Sequence, residues 1–264
     1  MDSKGRDLVH YAVMNRNSDA LEFLINRRQI VNNTDNDGMT PLMLACKYGM
    51  AKSVELLLQD QSRQKKQLNR KDKDYEYYED FYSFVKTVGP YQNTPLHFAA
   101  KSGALAIVKG LVEAGAPLDA KNYYSDTPLS VACQQGHFEI AVYLLDQGAN
   151  IHGVDKQQRS PLIRACQNGQ IHIVSMLLRR GVNPNFSDLS ENSALHHACA
   201  YGWLDVVKLL VEHGKADVNR LNEWKSSPTI IAMLKGHFSI VDYLLSLREV
   251  DASMVDDEGR SLVS

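Results

Sequence analysis

A fixed interval constrains this chain more than any other feature. Thr40-Pro41-Leu42, Thr94-Pro95-Leu96-His97, Thr127-Pro128-Leu129, Ser160-Pro161-Leu162 and Ser193-Ala194-Leu195-His196 are copies of one motif. Weaker copies stand at Asp7-Leu8-Val9-His10, Ser227-Pro228-Thr229 and, one residue out of register, Ser261-Leu262-Val263. The third residues fall at 9, 42, 96, 129, 162, 195 and 229, in steps of 33, 54, 33, 33, 33 and 34. A period of about 20–50 residues marks a stack whose units cannot bury their own apolar faces, so that neighbours supply the missing core. Two irregularities break the step: 21 extra residues between 58 and 96, and one extra near Lys215.

Each unit reads as two short helices. Proline just inside the start loses nothing by lacking an N–H, and the Thr or Ser before it can cap the orphan amides. The first helix is small-sided (Ala99-Ala100, Ala132-Cys133, Ala198-Cys199) and breaks at Gly49, Gly103, Gly136, Gly169, Gly202 or Gly236. The second carries apolar pairs four apart, such as Ile107-Val108 with Leu111-Val112 and Ile173-Val174 with Leu177-Leu178, which is one helical face. Gly115, Gly148, Gly181 and Gly214 are expected to end it in a left-handed conformation. Arg16 replaces the mid-unit glycine of the first unit and Thr229 the leucine of the seventh.

Cys46, Cys133, Cys166 and Cys199 each follow an alanine, and the last three are 33 apart. Repeat-equivalent positions sit about 10 Å apart on packed helices. A disulfide needs Cα atoms within about 7 Å, so these cysteines are expected as small core residues rather than bridges or zinc ligands.

These motifs in register resemble ankyrin repeats, over nearly the whole chain. The resemblance implies an all-α solenoid of helix-turn-helix units joined by β-hairpin-like turns, in a single domain over 1–264. The units are 2–34, 35–88 (with the insertion inside about 59–90), 89–121, 122–154, 155–187, 188–221, 222–255 and a partial eighth at 256–264. The last unit stops as its first helix should begin, which suggests a piece of a longer protein. Trp224-Lys225-Ser226-Ser227-Pro228, Ala232-Met233-Leu234-Lys235-Gly236-His237 and Asp256-Asp257-Glu258-Gly259-Arg260 also resemble ankyrin segments of large poly(ADP-ribose) polymerases. No ADP-ribosyltransferase domain accompanies them.

With 29 basic and 31 acidic residues the net charge is −2, no field for a polyanion, so nucleic acid is disfavoured. No stretch approaches a membrane span and no secretory signal is visible, so a cytoplasmic or nuclear monomer is expected. Most of the nine histidines fall at repeat-equivalent places, where the resemblance implies hydrogen bonding near the turns. No Cys-x-x-Cys, His-Glu-x-x-His, P-loop or nucleophile elbow occurs, and neither catalysis, metal nor cofactor is expected.

What remains is a protein or peptide partner, held by the concave groove and hairpin tips. Residues that neither turn the chain nor fill the core are Tyr48, Tyr123, Tyr124, Arg159, Arg164, Leu189, Tyr201, Trp203 and Trp224. Aromatics and arginine are the commonest interface anchors. The alternative is a structural spacer or substrate-recruiting segment of a larger enzyme. The insertion has a basic half (Arg63, Lys65, Lys66, Arg70, Lys71, Lys73), expected to be mobile or a helix extension. Its aromatic half (Tyr75, Tyr77, Tyr78, Phe81, Tyr82, Phe84) is expected to dock on the third unit. There Gly89-Pro90 replaces the polar tip residue, making that hairpin the poorest in the chain.

Overall fold

The computed structural model describes residues 1–27, 31–68 and 84–261; of residues 60–68 only the helical backbone is described. It divides into two compact units, Met1–Val131 with Val142–Ala149, and Ala132–Ala141 with Asn150–Ser264. Paired helices run α1 Leu8–Met14 and α2 Ser18–Asn26, α3 Pro41–Lys47 and α4 Ala51–Leu68, α5 Pro95–Ser102 and α6 Leu105–Glu113, α7 Pro128–Gln135 and α8 Phe138–Asp146. They continue as α9 Pro161–Gln167 and α10 Ile171–Arg179, α11 Ala194–Tyr201 and α12 Leu204–Glu212, α13 Pro228–Leu234 and α14 Phe238–Leu245. Among the described residues β structure is confined to two isolated bridges, Ser187 with Ser193 and Val255 with Ser261.

The helices start where the motif places them. The hydroxyls of Thr40, Thr127, Ser160 and Ser227 accept the amides of Met43, Ser130, Ile163 and Ile230. In the first unit Leu42, Leu57, Leu96, Ile107 and Leu111 have no exposed surface worth the name, and in the second Leu162, Ile173, Leu177, Leu195, Leu210 and Leu244 match them. All four cysteines are free and buried. Burial pushes every thiol well above its ordinary value, Cys133 to about 12, so they pack as inert core residues.

Every repeat but the third opens on a hairpin tip built by one repeated device. At Asp2, Asp35, Asn122, Asp155, Asp188, Asn222 and Asp256 a side-chain oxygen accepts the amides two and four residues on, at 2.8–3.1 Å. The tip residue's own amide donates to the carbonyl four residues on, as Asn222 does to Ser226 at 3.2 Å. The residue three beyond the tip has positive φ, even where it is Ser125, Gln158, Glu191 or Lys225.

Tips are also tied to one another. The amide after the tip residue donates to the preceding tip's carbonyl: Asn36 to Lys4 at 2.9 Å, Tyr123 to Tyr91 at 2.7 Å, Leu189 to Gln157 at 3.0 Å, Glu223 to Ser190 and Asp257 to Trp224 at 3.2 Å. Histidines add struts. His10, His97 and His196 reach the carbonyls of Met39, Asp126 and Ser226, at 3.1, 2.9 and 3.2 Å. On the other ring nitrogen, His97 and His196 meet their own N-cap hydroxyls, Thr94 at 2.9 Å and Ser193 at 2.8 Å. These imidazoles hold turns together.

One expectation needs correction. Gly115, Gly148 and Gly181 are left-handed, but Gly214 is not; Lys215 takes that conformation at φ 54°. The extra residue shifts the turn by one, and a side chain on Gly214 would press on the Leu210 carbonyl. Arg16, by contrast, keeps the mid-unit turn at φ 54° despite having a side chain. In the insertion, α4 carries Arg63, Lys65 and Lys66 as a helix extension, and Phe84 is buried. Arg70, Lys71, Lys73, Tyr75, Tyr77, Tyr78, Phe81 and Tyr82 lie outside the described residues.

Thr229 sits buried with its hydroxyl unbonded among the described residues. Thr229→Val keeps the shape and removes the unsatisfied group, so the urea midpoint should rise by the equivalent of about 1 kcal/mol. An unchanged or lower midpoint would show that the hydroxyl finds a partner. A second expectation concerns acid. Burial lowers the pKa of His97 and takes His196 from its ordinary 6.5 to about 4. Below 6.5 the unfolded chain binds protons that the native chain refuses, so stability falls with pH through that window, by up to about 1.4 kcal/mol per pH unit per histidine. His97→Gln with His196→Gln should lower stability at neutral pH yet flatten the acid-side decline, as read by urea unfolding across pH.

Candidate functional site

The tips and the first helices present side chains that the repeat device leaves over. Tyr48, Tyr123, Tyr124, Leu189, Tyr201 and Trp224 are exposed, each at about half or more of its surface. Tyr48 caps α3 with the Lys47 ammonium 5.5 Å from its ring centre. In the first unit Tyr123 and Tyr124 meet edge to face at 5.3 Å, and Tyr124 stacks on Tyr91 at 5.9 Å. The sequence reading missed Tyr91, although it stands two residues after its tip, the register of Tyr124 and Trp224. It is 65% exposed.

The second unit contains a groove of about 530 Å³ running along α11 and α13. Trp224, Asp256, Asp257, Glu258 and Arg260 line its tip end; Tyr201, Leu234 and Lys235 line the end where the helices stop. His197 borders it, held by Asp188 at 2.7 Å. Burial works against ionisation of Asp188, but the His197 bond and the tip amides outweigh it and hold the carboxyl below its ordinary range. Asp256 is treated likewise: burial opposes its charge, while the amide and guanidinium of Arg260 hold it ionised.

Three candidates have structural duties instead. Arg164 is buried rather than exposed, with its guanidinium 3.3 Å from the Asp155 carboxylate. Arg159 donates to the same carboxylate at 2.8 Å and braces its own tip, as Arg6 and Arg260 do theirs. Trp203 lies over Gly169, where a Cβ would come within 2.6 Å of its ring, and its indole N–H donates to the Gln167 carbonyl at 3.1 Å. His237 repeats this over Gly202, reaching the Ala200 carbonyl at 3.2 Å. Here glycine is required by the close approach of the next repeat's side chain as well as by its φ.

Among the described residues no cluster of three His, Cys, Asp or Glu is placed to hold a metal, and no helix is long and apolar enough to cross a membrane.

The ankyrin-repeat family models match residues 1–72, 91–123, 116–188 and 162–256, and the chain belongs to that family. The crystal structure of the ankyrin repeat domain of Bcl-3, described as a unique member of the IkappaB protein family, superposes with TM-score 0.69 and 28% identity, covering 93% of this chain and 100% of that one. Rabankyrin-5 of Mus musculus is 28% identical over 134 residues, and the Homo sapiens protein 27%. That match takes in 45% of this chain and 12% of those much longer proteins. Protein glp-1 of Caenorhabditis elegans is 43% identical over 54 residues, 20% of this chain and 4% of that protein. These matches lend the poly(ADP-ribose) polymerase likeness no support.

The two tryptophans separate packing from presentation. Trp203→Ala should cost about 1–3 kcal/mol of stability by opening a gap over Gly169 and orphaning a carbonyl, whereas Trp224→Ala should stay within about 0.5 kcal/mol. Chemical denaturation of the two variants checks this; equal losses would place both rings in the packing.

Proposed function

We propose that this chain is a protein-binding module that takes a partner polypeptide on its groove and hairpin tips. Ankyrin repeats are in general protein–protein interaction modules, which gives the class. The observation that carries the finer reading is the pair Tyr201 and Trp224, both more than half exposed and both lining one groove. Exposed aromatics in a concave site bring large contact area at small entropic cost, the usual character of interface anchors. Neither ring makes a hydrogen bond among the described residues that would explain its place. The tyrosine cluster of Tyr91, Tyr123 and Tyr124 offers a second patch with rings already ordered against one another. Leu189 and Tyr48 extend the candidate surface; Arg159, Arg164 and Trp203 do not. Four reduced, buried thiols suit a cytoplasmic or nuclear setting.

The test is affinity capture with the isolated chain and with Tyr123→Ala, Tyr124→Ala and Trp224→Ala combined. All three side chains are exposed, so the triple variant should fold and should lose its bound partner. Each buried anchor contributes about 2 kcal/mol or more, so one anchor alone should weaken binding about thirtyfold. Full retention of the partner by a folded triple variant would place the surface elsewhere, and absence of any specific partner for the parent chain would favour a spacer.

A further inference from the structure

The groove of the second unit has a chemical direction. Its tip end is acidic. Asp256, Asp257 and Glu258 line it together with Arg260, and Glu191 and Glu223 stand on the two preceding tips, next in the chain to the lining residues Asn192, Asn222 and Trp224, with Lys225 on the second of them. Both cations are engaged, Lys225 with Asp257 at 3.0 Å, Arg260 with Glu258 at 2.8 Å and with Asp256 at 2.6 Å. The carboxylates of Glu191 and Glu223 are exposed and have no hydrogen bond or ion pair among the described residues. The tip end is therefore negative in sum even after its internal pairs are counted.

The other end is different. α13 spans seven residues, about 10 Å, and delivers Leu234 and Lys235 there beside Tyr201. So an apolar patch of Tyr201, Ile231 and Leu234 lies about one short helix away from a carboxylate-rich patch around Trp224. An anion would find no welcome at the tip end. The amides that could receive it, those of Trp224, Ser226, Glu258 and Arg260, already donate to Asn222 and Asp256. A cation would find free carboxylates and an indole face, and Trp is the best aromatic partner for a guanidinium or ammonium group.

We infer that this groove receives a basic polypeptide segment, with an arginine or lysine against Trp224, Glu223 and Glu191, and an aliphatic side chain against Tyr201 and Leu234. An extended chain rises about 3.3 Å per residue, so the two anchors lie about three residues apart. This rests on the reading of the groove as a partner surface and adds the charge and spacing of what enters it.

The experiment titrates the full chain with labelled peptides made of Arg-Ser-Ser-Leu repeats, and of Glu-Ser-Ser-Leu repeats, by fluorescence anisotropy at low and at high salt. The arginine peptide should bind at least about tenfold more tightly at low salt and lose that advantage as salt rises. Glu191→Lys with Glu223→Lys, which touches no structural bond, should abolish the preference; Tyr123→Ala with Tyr124→Ala should leave it intact. Equal binding of the two peptides, no binding of either up to about 1 mM, or a preference that survives the charge reversal would each overturn the inference. Should Trp224→Ala release the captured partner while the arginine peptide shows no preference, the groove reading would stand and the inference alone would fail.

Discussion

The side-chain oxygen of an Asp or Asn at every tip but the third is the interaction on which the rest of the structure depends. A hairpin of this tightness turns two amide donors, two and four residues beyond the tip, inward with no strand to receive them, and a buried unpaired N–H costs about as much as a lost hydrogen bond. One acceptor oxygen takes both, at 3.0 and 2.9 Å from Asp188 and at 3.1 and 2.9 Å from Asn222. With the turn closed, its next amide is left pointing along the row, where it finds the carbonyl of the tip before it. The same closure fixes the carbonyl that His97 or His196 reaches from the helix of the preceding repeat. Turn, ladder and strut thus follow from a single polar atom.

The third repeat shows what happens without that atom. Gly89 has no side chain to clasp the turn and Pro90 no N–H to join the ladder. The absence of a side chain there also makes room for Met43, whose sulfur would lie 2.6 Å from a Cβ and would have to shift to admit one. The turn keeps the backbone bond common to the tips, Gly89 N–H to the Asn93 carbonyl at 2.9 Å, and adds a donation from the Asn93 side chain to the Pro90 carbonyl at 2.9 Å. The polar group has moved from the start of the hairpin to its end. Gln92 takes the positive φ found three beyond the other tips, Tyr91 takes it in addition, and Tyr91 still receives the Tyr123 amide. Met43 also stands where His10, His97 and His196 stand in other units, so the passage from second to third repeat trades polar bridges for apolar contact.

How much of this was legible in the sequence depends on how local each cause is. Helix starts, mid-unit breaks and the buried cysteines were readable because proline, a capping hydroxyl, glycine and periodic leucines act within a few residues. Gly214 misled, since the sequence pattern does not say which of two adjacent residues turns left; the Leu210 carbonyl decides, and it is fixed only by the folded helix. Arg164 misled for a related reason. Its position on a first helix looks outward in the repeat pattern, and only the placement of Asp155 beside it turns the guanidinium into the fold. Tyr91 was missed although its register was readable: the third tip was placed at Gly89-Pro90, and the residue two beyond it was not compared with Tyr124 and Trp224.

Trp203 and Trp224 carry the same argument to its end. Both break the repeat pattern, both are aromatic, and composition cannot rank them. The difference lies in what the preceding repeat puts beneath the ring. Under Trp203 it puts Gly169 and the Gln167 carbonyl, so the indole has a floor and an acceptor. At Trp224 the repeat device uses only the backbone: the amide goes to Asn222, the carbonyl takes the Asp257 amide, and the ring is left over. A side chain the fold does not need, set in a groove and half exposed, costs solubility and brings no stability. In a repeat protein, where each position has several structural precedents in the same chain, such a leftover residue is the one on which the proposed partner surface is built.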